Sequence, residues 1–139
     1  MTQTEPDGHD RVAFIGGGNM TRAIVLGMLR NSYPPGNILV SEPDAGRRAA
    51  LEAEMDGVTL SASNAEVARR ADTVVLAVKP QVLPAACKDL AATVQVSRPL
   101  IVSIAAGTRG ADIDAWLGGN FAVVRVMPNQ PALLGRGVA

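Results

Sequence analysis

Val12-Ala13-Phe14-Ile15 runs straight into Gly16-Gly17-Gly18, and a proline-free, helix-forming segment follows over 20–30. Few folds accommodate that succession, because an apolar strand must stop, turn without side-chain bulk and continue as a helix. It is the strand–glycine turn–helix start of a dinucleotide-binding unit. Gly16 is placed to make the tight turn off the strand, where a Cβ would clash. Gly18 lets the backbone come close to a pyrophosphate. The first N–H groups of the next helix lack intrahelical partners, and with the helix dipole they attract anionic oxygens. A lone GxG is common, but this one follows the first apolar run, where a Rossmann fold places its first strand. The third fingerprint position is Thr21 instead of Gly or Ala. Its bulk predicts slightly looser packing of helix on strand, or a slight shift of the helix.

The rest of the chain alternates in the same way. Strands are predicted over 11–15, 38–41, 58–60, 73–77, 100–104 and 122–127, and helices over 20–31, 45–55, 64–70, 82–92 and 109–117. Such alternation implies right-handed crossovers between mostly parallel strands, with helices on both faces. The expected fold is therefore α/β: a doubly wound, Rossmann-type sheet of six strands. Aromatic residues make up only 3% of the chain, so Val, Ile, Leu and Ala must build the core, as suits a buried parallel sheet. Residues 1–10 are polar, with Pro and Gly, and read as a flexible tail before a single domain over 11–139.

Charge and cysteine usage narrow the partners. Thirteen Lys+Arg balance thirteen Asp+Glu, which gives no electrostatic support for binding nucleic acid or an anionic membrane. No apolar run approaches the ~18 residues of a membrane span. Cys87, the only cysteine, forms no internal disulfide, points to a reducing, cytoplasmic compartment and reads as a small core filler. His9, the only histidine, falls in the tail, and one His with one Cys does not assemble a metal site.

The residues that follow the strands carry the candidate site. They are Gly16-Gly17-Gly18, Ser41-Glu42-Pro43, Ser63-Asn64, Val78-Lys79-Pro80, Ala105-Ala106-Gly107 and Pro128-Asn129. In an open parallel sheet all of them lie along one edge, outside the carboxyl ends of the strands, where ligands bind. Pro80 biases Lys79 toward an extended conformation, and its backbone, more than its amine, is the expected contact. Ser103 and Ala105 to Gly107 either leave room for a nicotinamide ribose or serve tight packing against a helix. Asn64 is expected to cap the helix it opens, a role compatible with an adenosine contact. Asn129, between Pro128 and Pro131, has an amide held in a fixed direction. Trp116 reads as a packing anchor.

Taken together these segments resemble the N-terminal domain of the pyrroline-5-carboxylate reductase family. The matching motifs are Phe14-Ile15-Gly16-Gly17-Gly18-Asn19-Met20, Ala77-Val78-Lys79-Pro80-Gln81, Val102-Ser103-Ile104-Ala105-Ala106-Gly107 and Val124-Arg125-Val126-Met127-Pro128-Asn129-Gln130-Pro131. Gln130 departs from the Thr usual in the family, as Thr21 departs from the fingerprint. The resemblance implies hydride transfer from NAD(P)H to the C=N carbon of 1-pyrroline-5-carboxylate, giving L-proline. It implies that Gly16, Gly17, Gly18, Asn19, Met20, Ser41, Asn64, Ala77, Val78, Lys79, Pro80, Ala105, Ala106 and Gly107 surround the cofactor, with Asn129 near the reacting ring. It also implies a further helical domain, absent from this chain, that forms a homo-oligomer and supplies most of the substrate site. No catalytic residue is named within the chain, and the chain alone is expected to bind cofactor with negligible turnover.

Cofactor choice turns on three side chains after the second strand. Glu42 suits the ribose hydroxyls of NAD(H) and repels a 2′-phosphate. Arg47 and Arg48 open the next helix and favour an anion, which tips the expectation to NADP(H). The alternatives are another imine or β-hydroxyacid dehydrogenase domain, or a non-catalytic NAD(P)-sensing module.

Overall fold

The computed structural model describes residues 9–126; Asn129 and most of the expected tail lie outside the described residues. Six strands form one sheet: β1 (Val12–Ile15), β2 (Ile38–Ser41), β3 (Thr59–Ser61), β4 (Thr73–Leu76), β5 (Leu100–Ser103) and β6 (Val123–Arg125). The connecting helices are α1 (Asn19–Arg30), α2 (Ala45–Glu54), α3 (Asn64–Arg69), α4 (Leu83–Ser97) and α5 (Gly110–Trp116). Every pairing is parallel and the spatial order is β3-β2-β1-β4-β5-β6. This is the doubly wound Rossmann arrangement the alternation predicts, with the strand order reversing beside β1.

Helices cover both faces, which is why the central strands read as continuous apolar runs. Ala13, Ile15, Leu39, Val74, Leu76 and Ile101 point to the side packed by Val67 of α3, Leu90 of α4 and Ile113 of α5. Phe14, Ile38, Val40 and Val75 point to the other side, against Val25 of α1 and Leu51 of α2. With so few aromatics, β-branched residues fill these layers, and Phe14 is the one aromatic among the fully buried side chains.

The register brings the strands to a common rim. Ile15 lies beside Ser41 and Leu76, Ser41 beside Ser61, Leu76 beside Ser103, and Ser103 beside Arg125. The loops that follow β1, β2, β4 and β5 therefore emerge along one edge. Backbone bonds tie them there: Gly16 N–H donates to Ser41 O at 3.0 Å, and Ala77 N–H to Ile15 O at 2.9 Å.

Most element ends fall within two residues of the sequence expectation, and two features depart from it further. A 3-10 turn at Pro35–Asn37 precedes β2, and α4 ends at Ser97 instead of at 92. The extra turn of α4 carries β-branched residues of low helix propensity, yet tertiary contacts hold it. Val94 is buried, and Gln95 Nε2 donates to Leu117 O at 3.0 Å and Gly119 O at 2.9 Å. Arg98, the αL cap of α4, lies over the Phe121 ring at 4.1 Å. Cys87 is fully buried on α4 and Trp116 packs against the same core layer, as the sequence suggested. Burial pushes the Cys87 thiol up to about 11.

Candidate dinucleotide-binding edge

The three glycines do three different things. Gly16 has φ +105°, and a Cβ there would meet Ala77 O at 3.1 Å; only glycine suits that turn. Gly17 is buried, and a Cβ would lie 2.7 Å from Leu51 Cδ1 and 3.0 Å from Glu42 Oε1. Gly18 is the opposite case, because a Cβ there would meet nothing within 4 Å. The chain packs closely around two of these positions and leaves the third open.

Thr21, expected to add bulk between helix and strand, also bonds to the glycine turn. Its side chain is fully buried and its hydroxyl donates to Gly16 O at 2.6 Å. That bond ties the first turn of α1 to the glycine turn, a role Gly or Ala could not fill. Gly18 caps α1 without a side-chain hydrogen bond, and α1 has no acidic residue in its first turn. The N–H groups of Asn19, Met20 and Thr21 thus face the open end, with the positive end of the helix dipole behind them.

Glu42 is almost completely buried. Its Oε1 accepts from Gly17 N–H and its Oε2 from Asp44 N–H, both at 3.0 Å. The carboxylate therefore bridges the glycine turn and the loop after β2. Arg48 turns back on that loop, donating to Glu42 O at 2.8 Å. Arg47 instead lines a cleft of about 380 Å³ with Gly17, Gly18, Arg22, Glu54 and Lys79. Arg22 and Glu54 form a bidentate ion pair across that cleft, at 2.7 and 2.6 Å. The hydrogen bond from Arg22 holds the Glu54 carboxyl below its usual range, and Glu54 raises Arg22 in return. Sequence reading missed this pair, since its members lie 32 residues apart and meet only once α1 and α2 pack side by side.

On the other side of the glycine turn, a hollow of about 270 Å³ is lined by Gly16, Pro43, Asn64, Val78, Val82 and Asp89, among others. Ser41 Oγ donates to Asn64 Oδ1 at 2.6 Å, so the buried end of β2 positions that amide. Asn64 does not cap α3. Ser63 does, accepting from Glu66 N–H at 3.1 Å; with Ser63 in an extended conformation, Asn64 becomes the first helical residue and its side chain is free to reach Ser41.

A third opening, of about 240 Å³, joins the two and is lined by Gly16, Gly17, Gly18, Glu42, Arg47, Ala77, Val78 and Lys79. Lys79 is exposed, and its carbonyl accepts from Val82 N–H at 2.9 Å to start the path into α4. Asn19, Met20 and Pro80 lie exposed on the same edge. Ala105, Ala106 and Gly107 follow β5 on this edge but line none of these three openings; Gly107 has φ +76° and open space around its Cβ position. Among the described residues no cluster of His, Cys, Asp and Glu is suited to a metal ion, and no helix is long and apolar enough to cross a membrane.

The family model described as "NADP oxidoreductase coenzyme F420-dependent" matches residues 11–107. The chain is 44% identical over 131 residues to the pyrroline-5-carboxylate reductase of Vibrio alginolyticus, covering 94% of this chain and 47% of that protein. Its fold superposes on a pyrroline-5-carboxylate reductase from Coxiella burnetii with a TM-score of 0.84 at 36% identity, covering 90% of this chain and 46% of that one. The Plasmodium falciparum pyrroline carboxylate reductase, solved with NADP bound, gives a TM-score of 0.74 at 26% identity, with 91% and 45% covered. The chain spans about half the length of the curated relatives it matches.

Proposed function

The chain belongs to the family of NADP oxidoreductases described as coenzyme F420-dependent, and from that premise we propose that it is the dinucleotide-binding part of a pyrroline-5-carboxylate reductase. The reaction is reduction of 1-pyrroline-5-carboxylate at its C=N carbon, giving L-proline in proline biosynthesis. The observation that carries the cofactor half of this reading is the open Cβ position at Gly18, beside two glycines whose Cβ positions the protein itself occupies. The sequence identity to reductases of that name supports the substrate.

The residues fit a nicotinamide dinucleotide. The N–H groups opening α1 receive the pyrophosphate, and the hollow at Asn64, Val78 and Val82 takes the adenosine. The nicotinamide supplies the hydride when bound. Ala105, Ala106 and Gly107 keep bulk away from its ribose. Positioning of this kind contributes roughly 7–11 kcal/mol to such reactions. The substrate-holding groups and the homo-oligomer contact belong, in this reading, to sequence beyond this chain. The free thiol of Cys87 fits a reducing, cytoplasmic setting.

The preferred cofactor is NADP(H). Arg47 lines the cleft beside Gly18 with no ion pair or side-chain hydrogen bond of its own among the described residues. Glu42, the residue that would favour NAD(H), spends both carboxylate oxygens on backbone N–H groups. A charge pair at ~4 Å and an effective dielectric of ~20 amounts to about 4 kcal/mol, reduced at an exposed arginine by solvent screening.

Two measurements test the reading. Calorimetric titration of the chain should give one saturable site for NADPH, with NADH weaker. The protein translated from the complete reading frame should oxidise NADPH when given 1-pyrroline-5-carboxylate. Absence of binding overturns the cofactor assignment; binding without turnover in the complete protein overturns the substrate.

A further inference from the structure

The cleft beside Gly18 contains more charge than the glycine turn needs. Arg22, Arg47 and Lys79 line it, and Glu54 is its one carboxylate. Arg47, Ala50, Leu51 and Glu54 are spaced to form one face of α2, and Arg22 reaches across from α1. Both helices start at the carboxyl edge of a parallel sheet and run away from it in the same sense. Arg22 is on the first turn of α1, whereas Glu54 is the last residue of α2.

Helical side chains lean toward the N-terminus of their own helix. A long side chain at Arg22 is therefore biased toward the carboxyl edge, where Gly18 and Arg47 are. In this structure it is drawn instead to Glu54. The pair is half exposed, with 47% of the Arg22 side chain and 37% of the Glu54 side chain accessible. Ion pairs of that exposure are weak and exchangeable, and a phosphate dianion offers a guanidinium a stronger, bidentate partner.

We propose that Arg22 is a second 2′-phosphate-binding residue, held in reserve by Glu54, so that the Arg22–Glu54 pair sets the preference for NADPH over NADH. On binding, the guanidinium leaves the Glu54 carboxylate and joins Arg47 on the 2′-phosphate. Glu54 becomes a specificity-determining residue that never touches the ligand. Arg48, engaged with the carbonyl of Glu42, takes no part. The inference rests on the proposed dinucleotide site and deepens it.

The test is calorimetry with NADPH, NADH and 2′,5′-ADP on the wild type, Arg22→Ala, Arg47→Ala, Glu54→Gln and the Arg22→Ala/Glu54→Gln double variant. Arg22→Ala should weaken NADPH and 2′,5′-ADP roughly tenfold, as loss of a charged hydrogen bond does, and leave NADH within about twofold. Glu54→Gln should tighten NADPH by about two- to fivefold by releasing Arg22. That gain should vanish in the double variant, a coupling that a merely structural pair would not show. An unchanged NADPH-to-NADH ratio in Arg22→Ala, beside a collapsed ratio in Arg47→Ala, overturns the role of Arg22 while leaving the site in place. Equal weakening of both cofactors by Arg22→Ala also overturns it. Failure of every ligand to bind the wild type overturns the underlying site reading as well.

Discussion

The helices on this edge begin in two different ways. Asp44 caps α2 by accepting from Arg47 N–H at 2.8 Å, and Ser63 caps α3 by accepting from Glu66 N–H, with Glu66 adding a carboxylate to the first turn. α1 begins at a glycine with no side-chain cap and no acid. A side-chain cap contributes ~1 kcal/mol, and a carboxylate in the first turn ~0.3–1 kcal/mol more. At α1 the chain forgoes both. α4 also starts without a side-chain cap or a first-turn acid, and α5 without a side-chain cap. What sets α1 apart is that its bare end opens on the free Cβ position at Gly18, whereas a proline in the first turn of α4 removes one of the donors there.

The largest consequence is at Gly18 itself. Gly18→Asp gives α1 the cap and charge that α2 has, so the fold should tolerate it with an unchanged circular dichroism spectrum. A carboxylate placed against the pyrophosphate should lower NADPH affinity on the order of 1000-fold. Gly18→Val should also abolish binding by obstruction. Retained affinity in either, measured by calorimetry, removes the contrast between α1 and its neighbours.

Gly17 should behave in the reverse sense. An added methyl has nowhere to go between Leu51 and Glu42, so Gly17→Ala should lower unfolding free energy by about 1–3 kcal/mol, read from urea melts. Ser63→Ala should cost ~1 kcal/mol in the same melts and leave NADPH affinity unchanged. A loss of affinity there would show that the α3 cap also serves the ligand.

The smallest effect lies in α4, on the sheet face away from α1 and α2. Burial raises the Cys87 thiol to about 11. Below the thiol's ordinary range the group is protonated in both folded and unfolded states and contributes nothing. Above pH ~9 the unfolded chain ionises first, so stability should fall as pH rises toward about 11. Cys87→Ala should flatten that part of the stability–pH profile, and an unaltered slope would place the titration elsewhere.

The element order and the parallel, doubly wound sheet were legible in the sequence because each strand is an apolar run closed by Gly, Pro, Ser or Asn. The glycine turn was legible for the same reason, since its constraints are local. What escaped were the contacts set by packing between elements. Asn64 looks like a cap until Ser41 is seen to claim its oxygen. The bond from Gly17 N–H to Glu42 has no local signature either, because the turn after β1 lies beside that carboxylate only in the folded sheet. The Arg22–Glu54 pair has no local signature at all, because helix placement alone joins its members. The end of α4 was missed because Gln95 and Arg98 stabilise it through the Leu117–Phe121 loop, against the propensity of its last residues.

Amide NMR of the isotopically labelled chain titrated with NADPH observes the two kinds of helix start side by side. The largest, saturable shifts should fall on the N–H groups of Gly18, Asn19, Met20 and Thr21, while Glu66, held by the Ser63 cap, stays nearly still. Shifts concentrated at α3, or none at 18–21 at saturating NADPH, would contradict the dinucleotide site at α1.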